Sequence, residues 1–341
     1  MLNLFGVTFR HGVHPPDSKG LTEHIPVRRM PFPKRVALPL RQHAGNPAKC
    51  LVEVGQHVER GDKIAEADGF VSVPIHASAA GTVAEIGWWP HQDGSMCEAV
   101  VIDVDEFSPQ VPRPRSVPQW EGLTPAAVRS AVQNAGVVGL GGAAFPTHVK
   151  LAPPEDCPIE WLLVNGAECE PYLTTDHRTM VEYPERVHFG IRIMMQCLGV
   201  KRAVIGVEMN KPDAIEALER TCPTDIDVTV RPLIVKYPQG AEKMLVEALF
   251  GVETPKGGLP LDRGILTNNV GTTAALADLF DRGIPLLERL VTVTGPGVDR
   301  PRNLMVPLGT PLRALLEHCG LRSETVQVIA GGPMMGAPQK S

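Results

Sequence analysis

No cysteine of this chain stands in a C-x-x-C pair, although there are seven: Cys50, Cys97, Cys157, Cys169, Cys197, Cys222 and Cys319. Isolated thiols in odd number exclude a disulfide framework and a complete thiolate metal site, and they imply a reducing compartment. No apolar run approaches the length of a membrane span, and the opening MLNLFGVTFRHG lacks the apolar core of a secretory leader. The expectation is a cytoplasmic protein with no direct membrane insertion. Neither sign of charge dominates: 33 Lys and Arg against 38 Asp and Glu leave −5, which argues against nucleic acid as a partner. The phosphate loop G-x-x-x-x-G-K-[ST] is missing too.

Proline and glycine are plentiful, at 33 each, and they divide the chain. Residues 1–112 are rich in Pro, Gly and Val without a helical period, and read as all-β. Between 52 and 86, Gly55, Gly61, Gly69 and Gly81 separate short β-prone runs. That spacing resembles the lipoyl and biotinyl half-barrels, whose carrier lysine sits at a hairpin tip. The corresponding AEADGFVSVPIHA has no lysine, so a scaffold is expected rather than a swinging arm. Residues 113–122 are a proline-rich linker. From 123 to 288 helices and strands alternate. Thr124 caps a helix with Pro125 at its first position, strands fall at 161–165, 203–208 and 228–235, and helices at 184–198, 210–220 (capped by Asn210) and 240–250. This order predicts a parallel-sheet, Rossmann-like domain. Residues 289–336 suit a small β-grasp unit, and 337–341 a tail.

The stretch GLGGAAFPTHVK, 139–150, poses the functional question. Closely spaced glycines let a backbone approach another surface. Gly139, Gly141 and Ala144 match the dinucleotide string G-x-G-x-x-[G/A], but a helix precedes it and Pro146 interrupts any helix starting inside it, so the NAD-type turn fits poorly. Three further polar loops follow predicted strands: NGAECEP (165–171), KYPQGAEK (236–243) and TNNVGTT (267–273). Loops at the carboxyl ends of parallel strands converge on one edge. Converging donors with few fixed cations suit a ligand that is part phosphate and part polar ring, such as flavin mononucleotide.

These four loops, in this order, resemble the flavin fold of the NADH-oxidising subunit of respiratory complex I. With RHGVHPPDSKGLT, LPLRQHAGNPAK, the half-barrel and the closing GGPMMG, the chain is more similar to RnfC-type subunits of the Rnf electron-transport complex, with an SLBB-type C-terminal unit. The resemblance implies noncovalent FMN, hydride transfer from NADH to the flavin, and single electrons passed on to iron–sulfur clusters. It implies FMN contacts from Gly139, Gly141, Gly142, Lys150, Asn165, Glu168, Tyr237, Gly240, Asn268, Asn269 and Thr272. Phe145, Glu170, Glu242 and Lys256 would meet NADH. Partners would be the other subunits of a membrane complex, with this chain peripheral on the cytoplasmic side. Family chains continue past GGPMMG into cysteine motifs for [4Fe–4S] clusters; this one stops at Ser341 without them, as a truncated chain would. Rival readings are a cobalamin-reductase-like flavoprotein and a non-catalytic docking or quinone-binding relative.

Taken singly, several residues have plainer roles. Glu168 and Glu170 read as a solvated acidic turn, and Phe145 and Tyr237 as core. Met194–Met195 and Met334–Met335 read as core too, and His11, His14 and His24 as capping or solvated groups.

Overall fold

The computed structural model describes residues 6–113, 119–325 and 327–339, so residues 114–118 of the predicted linker and 340–341 of the tail lie outside it. The first strand, β1 (Arg28–Arg29), joins the C-terminal sheet. The next seven are β2 (Arg35–Pro39), β3 (Lys49–Cys50), β4 (His57–Val58), β5 (Lys63–Glu66), β6 (Ile75–His76), β7 (Gly81–Pro90) and β8 (Met96–Val104). They form two antiparallel sheets, β2-β8-β7-β4 and β3-β5-β6. Fully buried Val36, Leu38, Ile64, Val83, Val100 and Ile102 from both sheets fill one core between them. This is the expected half-barrel.

The central unit contains α1 (Pro125–Asn134), α2 (Thr147–Lys150), β9 (Trp161–Gly166), α3 (Thr175–Glu182), α4 (Pro184–Leu198), β10 (Arg202–Glu208), α5 (Pro212–Arg220), β11 (Asp227–Leu233), α6 (Glu242–Phe250), β12 (Ile265–Asn269) and α7 (Val270–Arg282). Thr124 caps α1, its Oγ accepting the Ala127 N–H at 3.2 Å. Gly199 ends α4 in the left-handed conformation that a glycine adopts without strain. Alternate strand residues face opposite sides. Leu162, Val164, Ile205 and Val207 pack with α1, α4, α5 and α7; Leu163, Val204 and Ile265 pack with α6 and Phe9. All four strands run parallel in the order β11-β10-β9-β12. The chain therefore steps outward from β9 to β11 and then returns to the far side of β9. The order reverses between β9 and β12, where the connecting loops diverge and leave a crevice at the strands' carboxyl ends.

Two local expectations are corrected. Asn210 does not cap α5: Lys211 holds the cap position, and the Asn210 amide donates to Asp17 at 3.1 Å. Helix α6 starts at Glu242, not Gly240, because Gly240 is tied elsewhere. Its N–H meets Cys169 Sγ at 3.2 Å, and its carbonyl accepts from the Asn165 amide at 2.8 Å.

The C-terminal unit pairs β13 (Glu288–Val293) with β14 (Arg302–Pro307) antiparallel, and β1 adds to β14 in parallel, Arg28 opposite Leu304. Helix α8 (Leu312–His318) closes a small core with Leu304, Leu315, Cys319 and Met30. Strands β15 (Val328–Ala330) and β16 (Ala337–Gln339) form a separate ribbon, with GGPMMG as its turn. Met334 and Met335 were expected in a core; they are 44% and 77% exposed. Among the described residues no helix is long and apolar enough to cross a membrane.

Residues 6–30 form an arm outside the barrel, although the sequence groups them with it. Val7 bridges Leu233, Val13 exchanges both backbone hydrogen bonds with Tyr237, and Lys19 reaches the loop after β9. The arm runs from the outer side of β11 across the carboxyl ends as far as the loop after β9. The glycine run lies against the end of β12 and the start of α7.

Candidate flavin crevice

The glycine run is a closed hairpin rather than a strand-to-helix turn. Val138 bridges Pro146, the Gly139 N–H donates to the Phe145 carbonyl at 2.9 Å, and α2 begins only after Pro146. The glycines have different reasons. A Cβ on Gly141 would lie 2.9 Å from Asn269 Cβ, so only glycine lets the loop lie this close to the start of α7. Gly142 has φ +136 and open space where a Cβ would point. Gly139 needs neither exemption, since a Cβ there meets Phe145 N at an ordinary 3.5 Å.

Three domains hold this loop. Thr272 Oγ1 on α7 accepts the Leu140 N–H at 2.8 Å, and Arg289 on β13 donates to the Leu140 carbonyl at 3.2 Å. From the barrel, the Ala44 N–H donates to the Ala144 carbonyl at 3.2 Å. The hairpin tip that carries lysine in lipoyl domains docks here instead, with the Phe70 carbonyl 2.8 Å from His148 Nε2 and the two rings edge to face. Gly45 is obligatory in that approach, since a Cβ would come within 1.9 Å of the Val71 carbonyl oxygen. The motif LPLRQHAGNPAK thus serves to seat the barrel on the glycine loop.

Several expected ligand contacts do converge. Asn165 and Asn269 are register partners on β9 and β12, at the switch point. Asn165 ties the Gly240 carbonyl, which brings the Tyr237 loop against the end of β9. Lys150 Nζ lies 2.6 Å from Glu242 and 3.0 Å from the Thr267 carbonyl, so these two expected contacts neutralise each other. Phe145 is half-buried beside the loop. Thr272 is fully buried and acts through Leu140.

Others are placed elsewhere. Asn268 points into the helical layer, its amide toward Met194 and Thr273, because alternation along β12 gives Asn269 the crevice side. Lys256 is exposed in the loop after α6 and forms no ion pair among the described residues. Glu168 is not a solvated turn residue. Its carboxylate is buried and accepts the Asp176 N–H at 2.6 Å and the His177 N–H at 3.3 Å, capping α3 from outside. Glu170 accepts the N–H groups of Met334 and Met335 at 2.6 and 3.2 Å, which latches the GGPMMG turn over the crevice rim. Glu170→Ala is expected to speed hydrogen exchange at those two amides by about tenfold or more. Unchanged protection would show that the turn is held by other contacts.

Charged residues that the sequence reading passed over support the loops from beneath. Lys19 pairs with Glu168 and donates to the Glu170 and Leu173 carbonyls. Fully buried Lys211 donates to the Ala167 carbonyl, to Glu208 and to Asn210, at 2.7, 3.2 and 2.9 Å. A cavity of about 190 Å³ between arm and sheet edge is lined by Lys19, Glu208 and Lys236. Its charges are already satisfied, since Lys236 Nζ donates to the Phe9 and His11 carbonyls. Burial pushes the Cys169 thiol up to about 11, which leaves it a neutral packing group at physiological pH.

Asp176 was also passed over. Its carboxylate accepts from Asn269 Nδ2 at 2.7 Å, while Asn269 Oδ1 caps α7 through the Thr272 N–H at 3.1 Å. Burial, then the nearby Glu168 carboxylate, raise the Asp176 carboxyl to about 7. A folded-state pKa above the unfolded 3.8 favours the fold fully only below 3.8, and that contribution is lost as the pH climbs through about 7.

Comparison with known proteins agrees with this architecture. Residues 7–107 match the RnfC barrel sandwich hybrid domain, 132–278 the Nuo51 FMN-binding domain, and 290–338 the SLBB domain. One subunit of the proton-translocating ferredoxin:NAD(+) oxidoreductase complex of Clostridium ljungdahlii is 44% identical, over 98% of this chain and 73% of its own length. The equivalent subunit of the Na(+)-translocating ferredoxin:NAD(+) oxidoreductase complex of Acetobacterium woodii is 42% identical over 99% and 76%. Its counterpart in the ion-translocating oxidoreductase complex of Rhodobacter capsulatus is 39% identical over 97% and 64%. The crystal structure of an NAD+-reducing [NiFe]-hydrogenase in the air-oxidized state superimposes with a TM-score of 0.55 at 24% identity, over 63% of this chain and 42% of that one, and shows shared fold alone.

Proposed function

The chain belongs to the RnfC family of ion-translocating oxidoreductase subunits, and from that premise we propose that the β9–β12 crevice holds FMN and exchanges electrons with NAD(H). The observation that carries this reading is the placement of the glycine loop. It is fixed by three domains at the one point where the strand order reverses, with Gly142 turned to open space. That is the cradle a planar ring with a phosphate tail requires, since a side chain at Gly141 or Gly142 would spoil it.

When bound, FMN supplies the conversion between a hydride taken from NADH and single electrons passed to iron–sulfur clusters. The protein's part is positioning. Asn165 and Asn269, their amides engaged with Gly240, Ala167, Asp176 and Thr272, fix the backbone on either side of the switch point, and the first turn of α7 would turn its N–H groups to a phosphate. Lys150, paired with Glu242, adds no net charge and ties α2 to the start of α6 beside the crevice. Tyr237 and Glu170 form the rim on the nucleotide side. Burial first, then the Glu170 carboxylate, raise the Tyr237 phenol above its ordinary value, so it stays protonated. No strong acid or base is needed from the chain. The chain would work at the cytoplasmic face of a membrane complex, among that complex's other subunits.

Anaerobic titration of the chain with FMN is expected to quench flavin fluorescence at about one equivalent, and NADH is then expected to bleach the bound flavin. Absence of FMN binding would overturn the reading. Binding without bleaching would confine it to the flavin.

A further inference from the structure

Three groups meet at Gly271 in the first turn of α7. A Cβ built there would lie 3.1 Å from Asn269 Oδ1, 3.4 Å from Asp176 Oδ1 and 4.0 Å from Leu140 Cβ of the glycine loop. A carboxylate therefore sits against the same helix start that the FMN reading assigns to the phosphate. The groups around it do not offset a second anion well. Glu168 approaches from the loop after β9 with like charge, and its own cation, Lys19, is spent on it. Lys211, from the loop after β10, is paired with Glu208. Arg289, from β13, hydrogen-bonds the neutral Leu140 carbonyl, and its charge offsets Asp176 only in part, less than burial and Glu168 oppose it. Asn269, from β12, is neutral. On α3 itself, His177 faces away to Asp213 at 2.7 Å.

We propose that Asp176 takes up one proton when FMN binds, so that the loaded site holds a neutral carboxylic acid beneath the phosphate. This rests on the FMN reading above. The balance is one solvent proton added to one carboxylate; no bond to the ligand forms or breaks. Asp176 at the start of α7, its neighbour Glu168 at the start of α3 and a phosphate repel one another, and protonation of Asp176 removes one charge while keeping a side chain of the same shape. The ordinary value of the free Asp176 is already displaced toward neutrality by burial and Glu168, so the cost of that proton near pH 7 is small. Asp176 is a positioning residue, because it acts through Asn269 and the α7 turn.

The test compares wild type with Asp176→Asn, which is isosteric and keeps an acceptor for Asn269 Nδ2. FMN dissociation constants are measured between pH 6.5 and 8.5, with calorimetry in two buffers of different ionisation enthalpy. The phosphate's own ionisation near pH 6 is common to both proteins and cancels. Wild-type affinity is expected to fall by about tenfold per pH unit above 7, relative to the variant, with uptake approaching one proton. The variant is expected to show no such uptake. Equal uptake and parallel pH profiles in the two proteins would overturn the proposal. Should Asp176→Asn fail to fold, wild-type calorimetry decides the matter: FMN binding at pH 7.5 without proton uptake overturns it. Glu168→Gln supplies a second arm, since loss of that neighbouring charge is expected to move the uptake to lower pH. If wild type binds FMN at no pH, the failure belongs to the flavin reading.

Discussion

Gly141→Val is expected to abolish high-affinity FMN binding in a chain that still folds. The added Cβ would start 2.9 Å from Asn269 Cβ and 3.1 Å from its Cγ and Nδ2. Asn269 has no room to retreat, because its Oδ1 caps α7 and its Nδ2 is held by Asp176. The loop must move instead, and the 2.8 Å bond from Leu140 to Thr272 is the contact it loses. A displacement of about 1 Å in an oriented site costs on the order of a hundredfold, and that is the expected loss of affinity in the fluorescence titration. Gly139→Ala is the matched control. Its Cβ meets Phe145 N at 3.5 Å, an ordinary contact, and affinity is expected to stay within about threefold. Equal binding by both variants would show that the glycine shelf does not hold the flavin.

Lys211→Met is expected to cause the largest loss of stability. Lys211 and Glu208 are 0% and 1% exposed, and Lys211 also holds the Ala167 carbonyl at the root of the NGAECEP loop. Removing one member of a buried pair strands the other charge, at a cost of about 3–5 kcal/mol. Chemical denaturation of the central unit measures it. Adding Glu208→Gln is expected to restore part of the loss, because the stranded carboxylate is then gone. A single variant as stable as wild type would show that water reaches Glu208.

The features that were legible in the sequence are the local ones. Thr124–Pro125 and Gly199 mark helix ends through groups within four residues of each other, and the structure places those ends as read. Where the reading fails, a distant partner decides. Asn210 would cap a helix in isolation, but its Oδ1 accepts from Lys211 Nζ while its Nδ2 donates to Asp17 in the arm. Glu168 looked like a solvated turn residue because its helix starts several residues later, after a loop whose path no local pattern gives. Met334 and Met335 had the composition of a core, yet Glu170 draws their backbone to the surface. The crevice was foreseeable as a set of four loops. Its support by Lys19, Lys211 and Asp176 was not, since each ties it to a segment far off in sequence: Lys19 to Glu168, Lys211 to the Ala167 carbonyl, Asp176 to Asn269.

The arm, residues 6–30, is synthesised well before the segments it joins: Phe9 and Val7 await strands near position 233, and Arg28 awaits a strand beginning at position 302. Its settling is therefore postponed until the strand at 302–307 has emerged, the costly case of contacts far apart in sequence. Until then the apolar flank of α6 stays bare, and a bulky group placed just ahead of the arm would burden this late docking rather than the folding of the barrel.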